Sequence, residues 1–226
     1  GSCSGMFTAN SMNCLTEAIG MGLPGNGTIP AVFSERIRLA KKAGMRVMAL
    51  LEEDIRPSSI LTPAAFQNAI RVDMALGCSI NTVLHLPAIA REAGVTLGFE
   101  AFDEASRIVP QLCKLAPASD THIEDLYFAG GIQGLMKRLA AEGLLDTGAR
   151  TVTGTVAENL KEARITDDQV IRSRAEAFSP DGGLAILWGS LAPDGCVVKK
   201  GAVSPEMMTH RGPARVFERE EDAMQA

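Results

Sequence analysis

The spacing of the apolar residues is the feature that most constrains the fold of this chain. Over most of its length these residues recur every three or four positions, which is the period of a helix with one buried face. Gly or Pro interrupts each run, so the pattern predicts several separate helices. The predicted helices cover residues 6–19, 34–54, 62–76, 81–93, 102–109, 122–128, 132–141 and 156–163.

The pattern changes toward the C-terminus. Residues 183–189 form a short apolar run, Pro193-Asp194-Gly195 is typical of a tight turn, and residues 196–199 are predicted to be the returning strand. A third strand is predicted over residues 213–217. We therefore expect a helical part followed by a β-rich part, with a boundary near residues 165–180.

The composition narrows the class of protein. Apolar residues make up 46% of the chain, enough for a sizeable core, whereas aromatic residues make up only 4%. Because β-sandwiches depend on aromatic side chains, this mixture favours a helix-rich or α/β enzyme. The net charge is −5, and the basic pairs Lys41-Lys42 and Lys199-Lys200 do not extend into a patch, which argues against nucleic acid or an anionic membrane as a partner.

Neither end of the chain is typical of a native terminus. The first residues are Gly1-Ser2-Cys3, and the last, 219–226, have the pattern of the start of a helix. We expect a longer protein, and therefore an apolar surface on the helical part that further chain would cover. No apolar run reaches the roughly 18–20 residues that a membrane helix needs.

The five cysteines are far apart in the sequence, and none forms a Cys-x-x-Cys pair. An odd number of cysteines in a long chain argues against a secreted disulfide framework and favours a reducing cytosol. We expect Cys14, Cys113 and Cys196 to be small buried side chains.

Cys3 stands apart because it lies among Gly1, Ser2, Ser4 and Gly5, just before a predicted helix. Free N–H groups and the helix dipole favour a thiolate at a helix start, and small neighbours let a bulky group approach. Such a thiolate suits a metal cluster or a nucleophile. A buried structural cysteine is the alternative, and one cysteine cannot hold a cluster by itself.

A second group of polar residues opens the helix predicted at 81–93. Ser79, Asn81 and Thr82 could bind an anionic ligand at its N-terminus. On the residues alone, the favoured alternative is an ordinary capped helix with His85 in the core. The glycine-rich residues 24–28 lack the strand and the lysine of a phosphate loop, and Gly130-Gly131 is predicted to be a turn between helices.

The segment Gly1-Ser2-Cys3-Ser4-Gly5-Met6-Phe7-Thr8-Ala9-Asn10-Ser11-Met12 closely resembles the region around the last cluster cysteine of the dihydroxy-acid dehydratases. Further resemblance follows in the same order along the whole chain. Cys78 and Ile80 depart from the pattern, where many relatives have Gly and Thr. The other matching segments are 13–18, 23–27, 81–86, 109–117, 179–185 and 212–218.

The resemblance implies a fold that is α/β overall. Residues 1–172 would be the mainly helical C-terminal portion of an N-terminal α/β domain, which binds the cluster. Residues 173–226 would begin a β-rich, barrel-like C-terminal domain. The family also implies a cytoplasmic homodimer that acts on a small-molecule dihydroxy acid.

The resemblance further implies an iron–sulfur cluster, [2Fe-2S] or [4Fe-4S], with Cys3 as the third cysteine ligand, and a catalytic Mg²⁺ ion. The other two cysteines and the first Mg²⁺ ligands would lie before Gly1. The base serine and a further Mg²⁺-binding glutamate would lie beyond Ala226. Ser79, Asn81 and Thr82 become possible substrate-loop residues.

The activity implied by this resemblance is a hydro-lyase reaction. It dehydrates 2,3-dihydroxy-3-methyl carboxylic acids to 2-keto acids in valine and isoleucine biosynthesis. Two alternatives stay open: a sugar-acid or 6-phosphogluconate dehydratase of the same superfamily, and a non-catalytic fragment.

Overall fold

A computed structural model describes residues 3–226 and places a helix on every segment where the sequence predicts one. The predicted short helix over 156–163 is shorter than expected, because it ends at Asn159. The helices are α1 (Thr8–Ala18), α2 (Ser34–Glu52), α3 (Pro63–Leu76), α4 (Thr82–Glu92), α5 (Phe99–Ile108), α6 (Ile123–Ala129), α7 (Gly131–Ala141), α8 (Val156–Asn159) and α9 (Glu220–Met224).

The strands form two small antiparallel hairpins. Strands β1 (Arg150–Thr151) and β2 (Gly154–Thr155) pair with each other, as do β3 (Ala185–Leu187) and β4 (Cys196–Val198). The second hairpin confirms the strands predicted at 183–189 and 196–199. Among the described residues no sheet closes, so a barrel-like domain stays a prediction.

The third predicted strand, over residues 213–217, is wrong. These residues have irregular backbone and are almost all exposed. A short run of β-forming side chains becomes a strand only when a neighbouring strand supplies hydrogen-bond partners and a face to pack on. In the described part of the chain nothing pairs with this segment.

Helix α3 lies at the centre of the core. Thr62 accepts a hydrogen bond from Ala65 N at 3.4 Å and Pro63 occupies the first turn, which confirms the predicted helix start. Phe66, Ile70 and Met74 are fully buried, as their spacing predicts. Helices α1, α4, α5 and α7 pack around α3, so the sites that they carry are fixed relative to one another.

The segment before β3 docks onto the helical body. Gly182 N donates to Ser106 O at 2.7 Å, and Gly183 N donates to Met74 O at 2.9 Å. Ser106 Oγ donates to Leu184 O at 2.6 Å, and the Leu184 side chain is buried in the same core as α3. The domain division between residues 172 and 173 stays a prediction.

Helix α2 has the predicted apolar stripe, but all of its residues are exposed or only partly buried. Ile37 is 64% exposed, Met48 58% and Leu51 75%. The expected exposed apolar surface is therefore present, on this helix. Within residues 3–226 no helix combines the length and the apolarity needed to span a membrane.

Candidate functional site

Cys3 lies in a loop rather than at a helix start. Helix α1 begins five residues later, at Thr8, and its N-cap is Phe7 in extended backbone. The predicted position of Cys3 at the start of a helix is therefore wrong, because Phe7 and not Cys3 is the residue next to the first turn of α1. We call residues 3–7 the thiol loop.

Backbone contacts hold the thiol loop against two other parts of the chain. Ser4 O accepts a hydrogen bond from Ile123 N at 2.8 Å, at the start of α6. Met6 N donates to Ala116 O at 2.7 Å. These bonds fix the loop between the entry to α6 and the irregular segment before it.

Two side chains complete the support of the thiol loop. Asn10 Nδ2, in the first turn of α1, donates to Cys3 O at 2.7 Å and to Gly5 O at 2.8 Å. Lys199 Nζ, just after β4, donates to Met6 O at 3.2 Å. The loop is thus tied to the helix that follows it and to the C-terminal hairpin.

The Cys3 side chain is partly buried and lines an open cleft of about 640 Å³. Its thiol donates to Gly5 O at 3.4 Å. Residues 27–32 and the start of α6, at residues 122–125, form the other walls of the cleft. A free thiol with room beside it suits a metal ligand or a nucleophile.

The other cysteines divide into buried and exposed groups. Cys14 and Cys78 are fully buried, and burial raises the pKa of both thiols well above the ordinary value. Burial also raises the pKa of Cys113 to about 12. These three thiols are inert structural side chains, which confirms the predictions for Cys14 and Cys113.

Cys196 is exposed, so its prediction as a buried residue is wrong. It lies at the first position of β4, in a two-stranded hairpin that has a partly buried face and an open face. Sequence spacing does not tell which face of such a short strand meets the core. Cys3 and Cys196 are consequently the two accessible thiols of the described residues.

The predicted group Ser79, Asn81 and Thr82 separates into two environments. Asn81 Nδ2 donates to Thr8 Oγ1 at 2.6 Å and to Ser79 Oγ at 3.1 Å, so these two residues join the start of α1 near the surface. Thr82 is fully buried and donates to Asp73 Oδ2 at 2.7 Å. Ser79 and Asn81 can meet a ligand, whereas Thr82 serves the core.

The alternative prediction for this segment also needs correction. His85 is partly exposed on α4 and does not lie in the core. Gly130 forms the predicted turn between α6 and α7, and Gly131 is the first residue of α7; both have positive φ. The first turn of α1 contacts both predicted site segments. Thr8 accepts a hydrogen bond from Asn81, and Asn10 donates one to Cys3 O in the thiol loop.

Asp73, which the sequence analysis did not select, is the most perturbed acid near this region. Burial raises the pKa of its carboxyl to about 7, although Thr82, Cys78 and Lys199 favour the charged form. Its Oδ1 atom has no hydrogen-bond partner among the described residues. The sequence signal was an acidic residue within the apolar run of α3.

Glu17 was missed for the same reason, as an acid on the buried face of a helix. Its carboxylate accepts hydrogen bonds from Gly25 N at 3.0 Å, Gly27 N at 2.8 Å and Gln133 Nε2 at 2.6 Å. Burial nevertheless raises its pKa. Glu17 shapes the glycine-rich loop over residues 24–28, whose last two residues line the cleft. This loop follows a helix and not a strand, unlike a phosphate loop.

Of the two accessible thiols in residues 3–226, Cys3 lines the cleft described above, and main-chain hydrogen bonds of Ser4 and Met6 hold its loop in place. Among the described residues, no three His, Cys, Asp or Glu side chains gather as a metal site. The fold and site therefore define a helix-rich α/β protein with a single thiol at an open cleft, which could provide only one of several ligands to a metal.

Comparison with known proteins identifies the family. Residues 1–160 match the family described as dihydroxy-acid/6-phosphogluconate dehydratase N-terminal, and residues 169–226 match its C-terminal counterpart. The chain belongs to the dihydroxy-acid/6-phosphogluconate dehydratase family.

Named relatives cover the whole chain. It is 62% identical to a dihydroxy-acid dehydratase of Acetivibrio thermocellus and 62% identical to one of Desulfosudis oleivorans. It is 60% identical to a dihydroxy-acid dehydratase of Moorella thermoacetica. In each case the match covers 100% of this chain but only 41% of the relative.

Proposed function

We propose that the whole protein is a dihydroxy-acid dehydratase, a cytoplasmic hydro-lyase of valine and isoleucine biosynthesis. Its substrates would be small 2,3-dihydroxy-3-methyl acids and its products 2-keto acids. The observation that carries the proposal is 62% identity, over the full length of this chain, to proteins of that name. The whole protein would be a homodimer with a barrel-like C-terminal domain.

Cys3 fits an iron–sulfur cluster as one ligand of a larger set. Its thiol is free and borders a cleft, and the thiol loop is fixed by main-chain bonds. Cys14, Cys78 and Cys113 do not fit, because they are fully buried. The remaining cluster ligands, the Mg²⁺ ligands and the base serine would come from chain outside residues 1–226.

When bound, the cluster and Mg²⁺ supply the Lewis acidity that a poor leaving hydroxyl and a weakly acidic C2 proton require. The residues of this chain would position the cluster and the substrate. Cys3 would hold one ligand position at the cleft, and Glu17 fixes Gly25 and Gly27 in the loop whose last residues line that cleft. Ser79 and Asn81 would present hydroxyl and amide groups toward the substrate carboxylate.

The family description also includes 6-phosphogluconate dehydratases, so these provide the second candidate function. The direct test offers 2,3-dihydroxy-3-methylbutanoate, 6-phosphogluconate and a sugar acid separately to the purified full-length protein, with its cluster intact. We expect 2-keto acid formation from the branched substrate at the highest kcat/KM. Preference for 6-phosphogluconate or the sugar acid, or no turnover with an intact cluster, would overturn the proposal.

A further inference from the structure

We propose that Asn10 is a positioning residue, which sets the main-chain shape of the thiol loop and so directs Cys3 toward the cleft. This inference rests on the proposed function, since a cluster is what would need Cys3 held there. Asn10 lies in the first turn of α1 and is partly buried.

The contact geometry singles out this side chain. Asn10 Nδ2 reaches Cys3 O at 2.7 Å and Gly5 O at 2.8 Å, so one amide group bridges two carbonyls that are two residues apart. Within residues 3–226 the amide is the only hydrogen-bond donor to Cys3 O. The other ties of the loop act on Ser4 and Met6.

The chemistry of the contact requires an amide. An NH₂ group offers two protons to two acceptors, whereas a hydroxyl offers one and a carboxylate offers none. Gly5 adds to the constraint, because a Cβ there would lie 2.7 Å from Ala116 O. Without the Asn10 bridge, Cys3 would keep its sequence neighbours but lose its fixed direction.

Asn159 provides a matched control, because it is partly buried like Asn10 but does not line the cleft. Its Nδ2 donates to Thr151 Oγ1 at 3.0 Å, and its Oδ1 accepts from Thr153 Oγ1 at 2.8 Å. Truncating Asn159 therefore removes a comparable pair of amide contacts without touching the thiol loop or the cleft. Cys196, which is exposed, serves as an internal reference for thiol accessibility.

The experiment compares Asn10→Ala and Asn159→Ala in the full-length protein. Iron retention during a chelator challenge is followed with the cluster present. Alkylation of Cys3 relative to Cys196 is then measured by peptide mass spectrometry after the cluster has been removed. Asn10→Ser, which keeps one donor, is made alongside in case the alanine variant does not fold.

We expect Asn10→Ala to lose iron about tenfold faster than the unmodified protein, as is typical when an outer-shell contact is removed. Cys3 should also alkylate faster relative to Cys196, because the freed loop exposes its thiol. Asn10→Ser should be intermediate in both measurements, and Asn159→Ala should match the unmodified protein.

Unchanged iron retention and an unchanged alkylation ratio in the Asn10 variants would overturn the proposal. Equal changes in the Asn10 and Asn159 variants would overturn it as well, because they would reflect general destabilisation. If the unmodified protein binds no iron, the proposed function fails, yet the alkylation ratio still decides whether Asn10 directs Cys3.

Discussion

Burial distinguishes residues of the same type in this chain. Cys3 lies at a cleft and Cys14 is fully enclosed, although both belong to the segment 1–18 that resembles the dehydratases. Asp73 and Glu17 are acids on buried helix faces, where burial raises the pKa of each carboxyl. The chemical role of each side chain follows from its surroundings rather than from its type.

The two cysteines of this segment should respond differently to replacement by serine in the full-length protein. Cys3→Ser should lose the iron and dehydration of 2,3-dihydroxy-3-methylbutanoate, because a serine hydroxyl is a poor substitute for a thiolate ligand. Cys14→Ser should keep most of both, since the Cys14 thiol contacts only Gly27 O, at 3.5 Å, among the hydrogen-bond acceptors of the described residues. Iron analysis and an activity assay measure the difference. Normal iron and activity in Cys3→Ser would contradict the assignment.

Asp73 should make stability depend on pH. Its pKa is raised from 3.8 to about 7 in the folded state, so the folded protein favours the protonated carboxyl. This contribution to stability is complete below about pH 4 and is lost as the pH rises through about 7. The side chain introduced by Asp73→Asn stays neutral. The free energy of unfolding of this variant, relative to that of the unmodified protein, should therefore rise by roughly 2 kcal/mol between pH 5 and pH 8.

Thermal unfolding of the full-length protein at several pH values would measure this gain. The exposed Asp120 supplies the control for the substitution itself, because Asp120→Asn makes the same chemical change away from the core. Parallel curves for Asp73→Asn and the unmodified protein would show that the Asp73 carboxyl is charged in the folded state. Lys199 and the Cys78 thiol are neighbours of Asp73, and both favour its charged form and so oppose the rise in its pKa.

At the scale of elements, glycines set how closely the C-terminal segment approaches the helical body. A Cβ on Gly183 would lie 2.5 Å from the Cα of Gly77, which follows α3 with a φ of 66°. The Gly77 Cα belongs to the main chain and a Cβ is bonded directly to its own main chain, so neither atom can move aside as the end of a flexible side chain can. The carboxamide of Gln111 is a second close neighbour, 3.1 Å from the same Cβ position.

Gly183→Ala should therefore weaken the docking of this segment, at a cost of about 1–3 kcal/mol. The matched control is Gly189→Ala, since nothing in the described part of the chain lies within 4 Å of its added Cβ. That control should change stability by less than about 0.5 kcal/mol. Hydrogen exchange at Leu184 and Ile186, with thermal unfolding, reports both effects. Equal protection in the two variants would show that the close glycine contact does not hold the segment.

At the scale of the whole molecule, one core joins the start of the chain to its C-terminal hairpin. Met6, Phe66, Leu135, Leu184 and Ile186 all belong to this core. The thiol loop consequently rests on elements that are distant in sequence. The proposed dehydratase site would depend on the same arrangement, because a single thiol is useful to a cluster only when it is held in place.

Sequence periodicity by itself determined where the helices lie, since each helix closes its own hydrogen bonds and shows its buried face every three to four residues. It also determined the β3–β4 hairpin, whose turn is local. Resemblance along the chain indicated the family and selected Cys3 as the residue of interest.

Only the tertiary structure decided the remaining features, because they depend on partners far away in sequence. Residues 213–217 have the side chains of a strand but no pairing partner in the described chain, and Cys196 lies on the open face of its hairpin. Cys3 lies in a loop and not at a helix terminus, and the Asn10 amide holds that loop by donating to Cys3 O and Gly5 O. A periodic pattern records which face of an element is apolar, whereas the atoms that meet that face are set by packing.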